Sequence, residues 1–413
     1  MPVFAAKIGS ADMEGAGYRL PIRFNRTSLA GLGNSVAPAC LGLFLCVSSL
    51  YSSKYAILIL VLPLLFARNR KLDDFHAVRI LTALLADFCA TLVLTTSMKA
   101  DWSGMYPTLI MVMYAALIFF HCAHFKDSIG YAARFMLLAF FAVSLRVLII
   151  GSAGESDPQE IVNRIHSPIL VVPNDYAAFL VMGPILGYAV KEFHSAIGKT
   201  LTVCIWITAL LASIVLESRL CLLLLLIWLM LDMPIARYWR RIVLCLGIVL
   251  ALAAALIGME TNLLAKINQI PTSRIPVWDA ALYQIATSPL IGSGIDSFRQ
   301  FYATHLLTAN YSDFIVVDSR QMPWAHNLLL DVSIAFGIPA AILLSALLSY
   351  VALSAWRPRG EMEKAMLVSI LMFVAAALFE FTHLRIYPLA MIAIYAGYAA
   401  RIPGKAISGG VRV

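Results

Sequence analysis

The sequence predicts an all-α polytopic membrane protein of about 12 transmembrane helices, with one large outer loop that itself contains helices. Three observations predict this. The chain is 61% hydrophobic and only 13% charged, with a mean hydropathy of +0.84, against roughly 45–50% apolar and about 25% charged in soluble domains. Apolar runs of bilayer length recur from residue 33 to residue 401. Basic residues cluster in alternate connections. Such a composition excludes a soluble enzyme, a disordered chain and a nucleic-acid-binding module.

Residues 1–32 are polar and basic (Lys7, Arg19, Arg23, Arg26) and read as a cytoplasmic segment without a cleavable signal. Apolar runs follow at 33–51, 53–67, 79–97, 107–124, 133–151, 174–191, 200–216, 219–235 and 242–259. The short second run allows the first pair to be a re-entrant hairpin. As one helix, 200–235 would be about 54 Å long at 1.5 Å per residue, against a hydrocarbon core of roughly 30 Å. It must break, and Glu217-Ser218-Arg219 is its only polar interruption.

Residues 260–325 form the one large soluble piece. Ser273-Arg274-Ile275-Pro276 reads as a helix start, with proline in the first turn. Trp278, Leu282 and Ile285 recur at helical spacing until Pro289, Gly292 and Gly294, and a second helix is expected from Asp296 to Leu307. Three more runs, 326–354, 365–381 and 386–401, complete the membrane part, and 402–413 is a tail.

With both termini inside, inner segments carry more than twice as many of the 31 Lys and Arg residues as outer ones, as the positive-inside rule requires. The formal charge of +8 is therefore chiefly a topology signal. The seven cysteines lie in apolar runs, with neither metal spacing nor a disulfide framework.

Polar residues gather at the outer face. His326-Asn327 opens the run 326–354, with Asp331 one turn on and Arg320 and Trp324 just before. His326 reads either as a helix-start histidine solvated by headgroups or as a proton-transfer group. Arg219, just inside the boundary, either snorkels, pairs with Glu217, or clamps phosphate with its planar paired donors; Arg146 carries the same readings. Arg274 and Arg299 flank the loop helices. Both read as solvated charges, but a cation near a helix N-terminus opposes the macrodipole, so Arg274 also hints at an anionic ligand. The Glu380–His383–Arg385 turn falls on the same face. Asp87 reads as a packing polar, and Asp101 beside Trp102 is a rival base. The outer segments contain no DxD, HxxH or CxxC spacing, so no metal site is expected.

Several of these elements together resemble the O-antigen ligase and polymerase family. They are Ser273-Arg274 with Trp278; Pro289-Leu290-Ile291-Gly292 with Gly294 and Phe298; Ala325-His326-Asn327 with the leucines that follow; and Phe336-Gly337-Ile338. Asn174-Asp175-Tyr176-Ala177 and Ser218-Arg219 are similar to its upstream landmarks, and the likeness covers 170–345. Leu220-Cys221 and Pro339 depart from the pattern.

The resemblance implies a GT-C-like glycosyltransferase of lipopolysaccharide biosynthesis in the bacterial inner membrane. It would act at the periplasmic face without a metal or other cofactor. The donor would be an undecaprenyl-diphosphate-linked glycan and the acceptor lipid A-core. Membrane lipids would surround it, and no nucleic acid is involved. The catalytic histidine falls on His326. Diphosphate binding falls on Arg219 and Arg274, with Arg146 added as a third cation. Asn327, Asp331, Trp324, Arg320, Arg299 and Arg385 are supporting candidates. The moderate loop and compact length favour a ligase over a polymerase of the same family. A 12-span transporter is the distant alternative, and the chain shows no repeated halves.

Overall fold

The computed structural model describes residues 39–41, 43–45, 105–125, 128–155, 157–165, 170, 172–191, 195–232, 263–309, 311, 322–356, 360–379 and 386–400. The predicted spans 53–67, 79–97 and 242–259 lie outside these residues, as do both termini, Asp87, Asp101, Arg320, Glu380, His383 and Arg385.

Among the described residues the protein is all-helical, without strands. The helices are α1 (Met105–His124), α2 (Ser128–Ser152), α3 (Pro158–Ile165), α4 (Ala177–Lys191), α5 (Ser195–Val215), α6 (Arg219–Asp232), α7 (Leu263–Thr287), α8 (Ser297–Thr308), α9 (Leu328–Phe336), α10 (Ile338–Ala355), α11 (Glu361–Phe379) and α12 (Ile386–Ala399). A 3-10 turn, Pro173–Tyr176, leads into α4. Of these, α2 and α10 are long and apolar enough to cross a membrane, and Met113–His124, Thr200–Val215, Arg219–Leu231 and Pro388–Ala399 are shorter apolar helices.

The core is built around α4. Residues Tyr176 to Met182 are all buried. A helix apolar on every side must be surrounded, and α4 packs on α2, α5, α6 and α11. The Ser369 hydroxyl on α11 donates to the Val181 carbonyl on α4 (2.6 Å) and lies 2.8 Å from the Tyr395 hydroxyl on α12. The outer sides of α2 (Leu138, Leu145, Ile149) and α5 (Val203, Ile207, Ile214) stay exposed. Such large bare apolar surface suits contact with lipid rather than water.

The break expected in 200–235 is present. Helix α5 ends at Val215 and α6 starts at Arg219. Ser218 N donates to Ser213 O (3.1 Å) and Glu217 N to Ile214 O (2.9 Å). This is a Schellman turn whose left-handed position is filled by Glu217 (φ 47) rather than glycine.

Two expectations are corrected. The first loop helix does not begin at Ser273. It begins at Leu263 and runs for 25 residues through Pro271 and Pro276. A proline removes its own N–H bond and crowds one carbonyl, which a helix can absorb at a cost. Arg274 consequently sits in mid-helix, and the macrodipole argument for an anion there falls away.

The run 326–354 is also not one helix. It breaks at Gly337, where α9 gives way to α10. Gly337 has φ 87, a conformation open to glycine. The break is filled by the loop turn after α7: Ser293 N donates to Ile334 O (2.6 Å), Gly294 N to Ala335 O (3.2 Å) and Ile338 N to Pro289 O (2.8 Å). A Cβ on Gly337 would collide with the Leu290 carbonyl, and one on Gly292 (φ 76) would lie 2.7 Å from the Ala335 carbonyl. The two glycine motifs are the two halves of one main-chain clamp.

Above it, α7 and α8 enclose a second small core of Val277, Ala280, Ala281, Ile285, Phe298, Tyr302, Ala325 and Ile334. The second loop helix runs Ser297–Thr308, as expected within a residue, after a left-handed Asp296.

Candidate active site

The residue before α9 is built by ties on both sides. Asn327 is the N-cap: its Oδ1 accepts from Leu329 N (3.0 Å) and Leu330 N (3.2 Å), satisfying free amides of the first turn. Its Nδ2 donates to the Leu378 carbonyl on α11 (3.1 Å). One turn in, the buried Asp331 carboxylate turns back and accepts from Ala325 N (2.7 Å). From the other side, the Trp278 indole on α7 donates to the Ala325 carbonyl (3.2 Å). Ala325 is thus held at both its amide and its carbonyl, and it is fully buried.

Between Ala325 and the cap stands His326, half-buried and left-handed at φ 55. Left-handed backbone is uncommon outside glycine, so the tethers on either side fix a conformation the residue would not choose. The Trp324 indole N–H donates to His326 Nδ1 (3.2 Å), and the rings meet edge to face at 5.7 Å. An indole can only donate. Nδ1 must therefore present its lone pair, and a neutral ring carries its proton on Nε2. That leaves His326 a donor at Nε2 while the Trp324 bond is made.

The arginines divide. Arg219 is the first residue of α6, and its side chain is exposed. It makes no ion pair with Glu217 or any other described residue, so the pairing alternative is removed. Ser218, at the start of α6, is buried. Its hydroxyl lies 3.4 Å from Cys221 N and donates to Asn174 Oδ1 (2.6 Å), which fixes where α6 begins relative to α4. Asp175 beside it accepts from Val172 N (2.9 Å). Arg274 is half-buried on α7, one turn before Trp278. Arg146 on α2 and Arg299 in the first turn of α8 are exposed and bond to no described residue.

The hydrogen bonds thus assemble Trp324, His326, Asn327 and Asp331 into one unit with Trp278, and separately tie Ser218, the residue before Arg219, to Asn174. Trp278 as the holder of Ala325 and Asn174 as the partner of Ser218 were not legible as such. The sequence marks both only as spaced landmarks, and neither bond follows from local periodicity.

Residues 204–345 match the family model described as O-antigen ligase. The match runs from α5 into α10 and takes in Arg219, Arg274, His326 and both halves of the glycine clamp, while Asn174 and Arg146 lie before it. No curated protein matches the chain.

Proposed function

We propose that this protein, whose residues 204–345 carry the O-antigen ligase match, is a ligase that moves a glycan from an undecaprenyl-diphosphate carrier to lipid A-core. The reaction takes place at the periplasmic face of the bacterial inner membrane and needs no divalent ion. The supporting observation is the left-handed His326 before α9, held between Ala325, bonded at both its amide and its carbonyl, and the capping Asn327. Strained conformations kept by surrounding bonds point to function.

In the proposed reaction an acceptor hydroxyl attacks the anomeric carbon of the donor sugar. The bond from that carbon to the phosphate oxygen breaks, and undecaprenyl diphosphate leaves with the electron pair. His326 orients the hydroxyl and takes its proton. To do so it must present a bare nitrogen, which means giving up the Trp324 bond at Nδ1. Arg219 and Arg274 hold the diphosphate, and their fixed charge offsets that which develops on the leaving oxygen. Arg146 is the third cation proposed to bind the diphosphate.

The test uses purified protein with a lipid-diphosphate glycan and lipid A-core in EDTA. Expected are metal-independent transfer to lipid A-core and a loss of about 10²–10⁴-fold in His326→Ala with donor binding kept. A longer lipid-linked glycan as the only product would make the protein a polymerase of the same family. Activity that needs added magnesium or manganese, or full turnover in His326→Ala, would overturn the mechanism.

A further inference from the structure

A second cluster of functional side chains lies on the outer sides of α7 and α8. His305 Nε2 lies 3.0 Å from Asp279 Oδ2, and the Tyr311 hydroxyl donates to the same oxygen (2.9 Å). Both bonds use Oδ2. Asp279 Oδ1 takes no hydrogen bond from a described residue, and the side chain is 54% exposed. The carboxylate is therefore aimed by two donors and still has an acceptor to spare.

One turn along α7 stands Tyr283. Its ring lies 6.1 Å from Phe301 and 5.5 Å from His305, and Phe301 stacks on His305 at 6.0 Å. Tyr283 stays 60% exposed. Residues four apart share a helix face, so the ring and the free carboxylate oxygen stand side by side.

We propose that this face is a carbohydrate-binding subsite, with Tyr283 stacking against the apolar face of a sugar ring and Asp279 Oδ1 accepting from its hydroxyls. A sugar offers both surfaces at once: a C–H face that covers an aromatic ring and a rim of O–H donors. The aromatic residue supplies contact area at small entropic cost, and a hydrogen bond to an ionised acceptor is stronger than a neutral one. Anionic headgroups and hydrocarbon fit less well, because both are disfavoured beside a fixed carboxylate. Asp279 follows Trp278 along α7, and Trp278 holds Ala325 next to His326. It would carry sugars some distance from the reacting bond, and it rests on the reading of the chain as a glycan transferase for the identity of its ligand.

The experiment measures binding and needs no transfer. Donor glycan, freed by mild acid from its lipid-diphosphate carrier, and core oligosaccharide, freed by mild acid from lipopolysaccharide lacking the O-polysaccharide, are titrated separately into the full-length protein in detergent. Saturation-transfer NMR serves as the readout. Binding of one or both saccharides is expected, and the one that binds identifies the source as donor or acceptor glycan. Tyr283→Ala and Asp279→Asn should weaken it about tenfold, the equivalent of roughly 1.4 kcal/mol, with Tyr283→Phe close to wild type. Circular dichroism confirms folding of each variant. Absence of binding, equal binding by all variants, or a Tyr283→Ala effect confined to thermal stability in lipid nanodiscs, which marks a lipid contact, would overturn the subsite. A protein that binds saccharide at this face yet transfers none would leave the subsite standing and remove the ligase reading.

Discussion

The Ser218 hydroxyl donates to Asn174 Oδ1 at 2.6 Å, joining residues 44 positions apart at the point where α6 begins. The next residue is Arg219. The bond therefore decides how an exposed guanidinium stands relative to the central helix α4. Asn174→Ala leaves the buried Ser218 hydroxyl without this acceptor, at a cost of about 1–3 kcal/mol. Donor KM is expected to rise, with kcat less affected, and Asn174→Asp, which keeps the acceptor, should recover most of the loss. Steady-state kinetics on purified variants check both. Unchanged donor KM in Asn174→Ala would show that the bond serves packing alone.

If Arg219 and Arg274 clamp a diphosphate, replacing either with lysine keeps the charge and loses the planar paired donors. Both Arg219→Lys and Arg274→Lys should bind donor more weakly. Arg274→Lys should also lower the melting temperature, because Arg274 is half-buried where Arg219 is exposed. Full activity in both variants would return these arginines to topology and packing.

Trp324 fixes which nitrogen of His326 carries the proton. Nitrogen-15 NMR of labelled histidine should show Nδ1 bare and Nε2 protonated in the neutral wild-type ring. Trp324→Phe removes the N–H while keeping an aromatic ring, and the two tautomers should then mix. An unchanged tautomer in that variant would mean that another contact sets the ring.

Gly337→Ala should be among the most damaging single changes outside the chemistry. The left-handed backbone costs an alanine roughly 1–3 kcal/mol, and the added carbon meets the Leu290 carbonyl. Thermal unfolding in detergent should show a lowered midpoint. Ala340→Gly, a few residues on and within α10, should cost only about 1 kcal/mol through helix propensity, plus the packing of one buried methyl.

The Asp279 carboxyl lies below its usual value, first because of the bond with His305 and then through the one from Tyr311, against the opposing effect of burial. A carboxylate held low in the folded state contributes stability above its ordinary pKa of 3.8 and loses it as the pH falls through the depressed value. Protection of the α8 amides, taken against the intrinsic exchange rate at each pH, should fall as samples are acidified below pH 3.8, and Asp279→Asn should flatten that dependence. An α8 whose protection is indifferent to acid would show that the Asp279–His305 and Asp279–Tyr311 bonds add nothing.

The sequence told most where length and polarity conflicted. A continuous 200–235 helix outruns the bilayer, so Glu217-Ser218-Arg219 had to be a turn. The same reasoning stopped short at Gly337. Phe336-Gly337-Ile338-Pro339 is apolar throughout, so hydropathy shows no seam, and the break is made by main-chain donors arriving from residues 293 and 294. The start of α7 was misplaced because Ser273 and Pro276 imitate a helix opening while the helix had begun ten residues earlier. At the candidate site the individual residues were legible as a polar cluster. Their arrangement was not, because Trp278 reaches Ala325 across 47 residues and Asn327 reaches Leu378 across 51.

The clamp at Gly337 has a mechanical side. A flap needs a hinge and a free edge. The turn 289–294, where such a hinge would sit between α7 and α8, is instead stitched into the gap between two helices by three main-chain bonds. Peeling it away would strand amides and carbonyls that have no replacement in an apolar setting. The turn therefore travels with α9 and α10 as one stiff piece, and on the proposed reaction substrates reach His326 beside that piece rather than under a lifting lid.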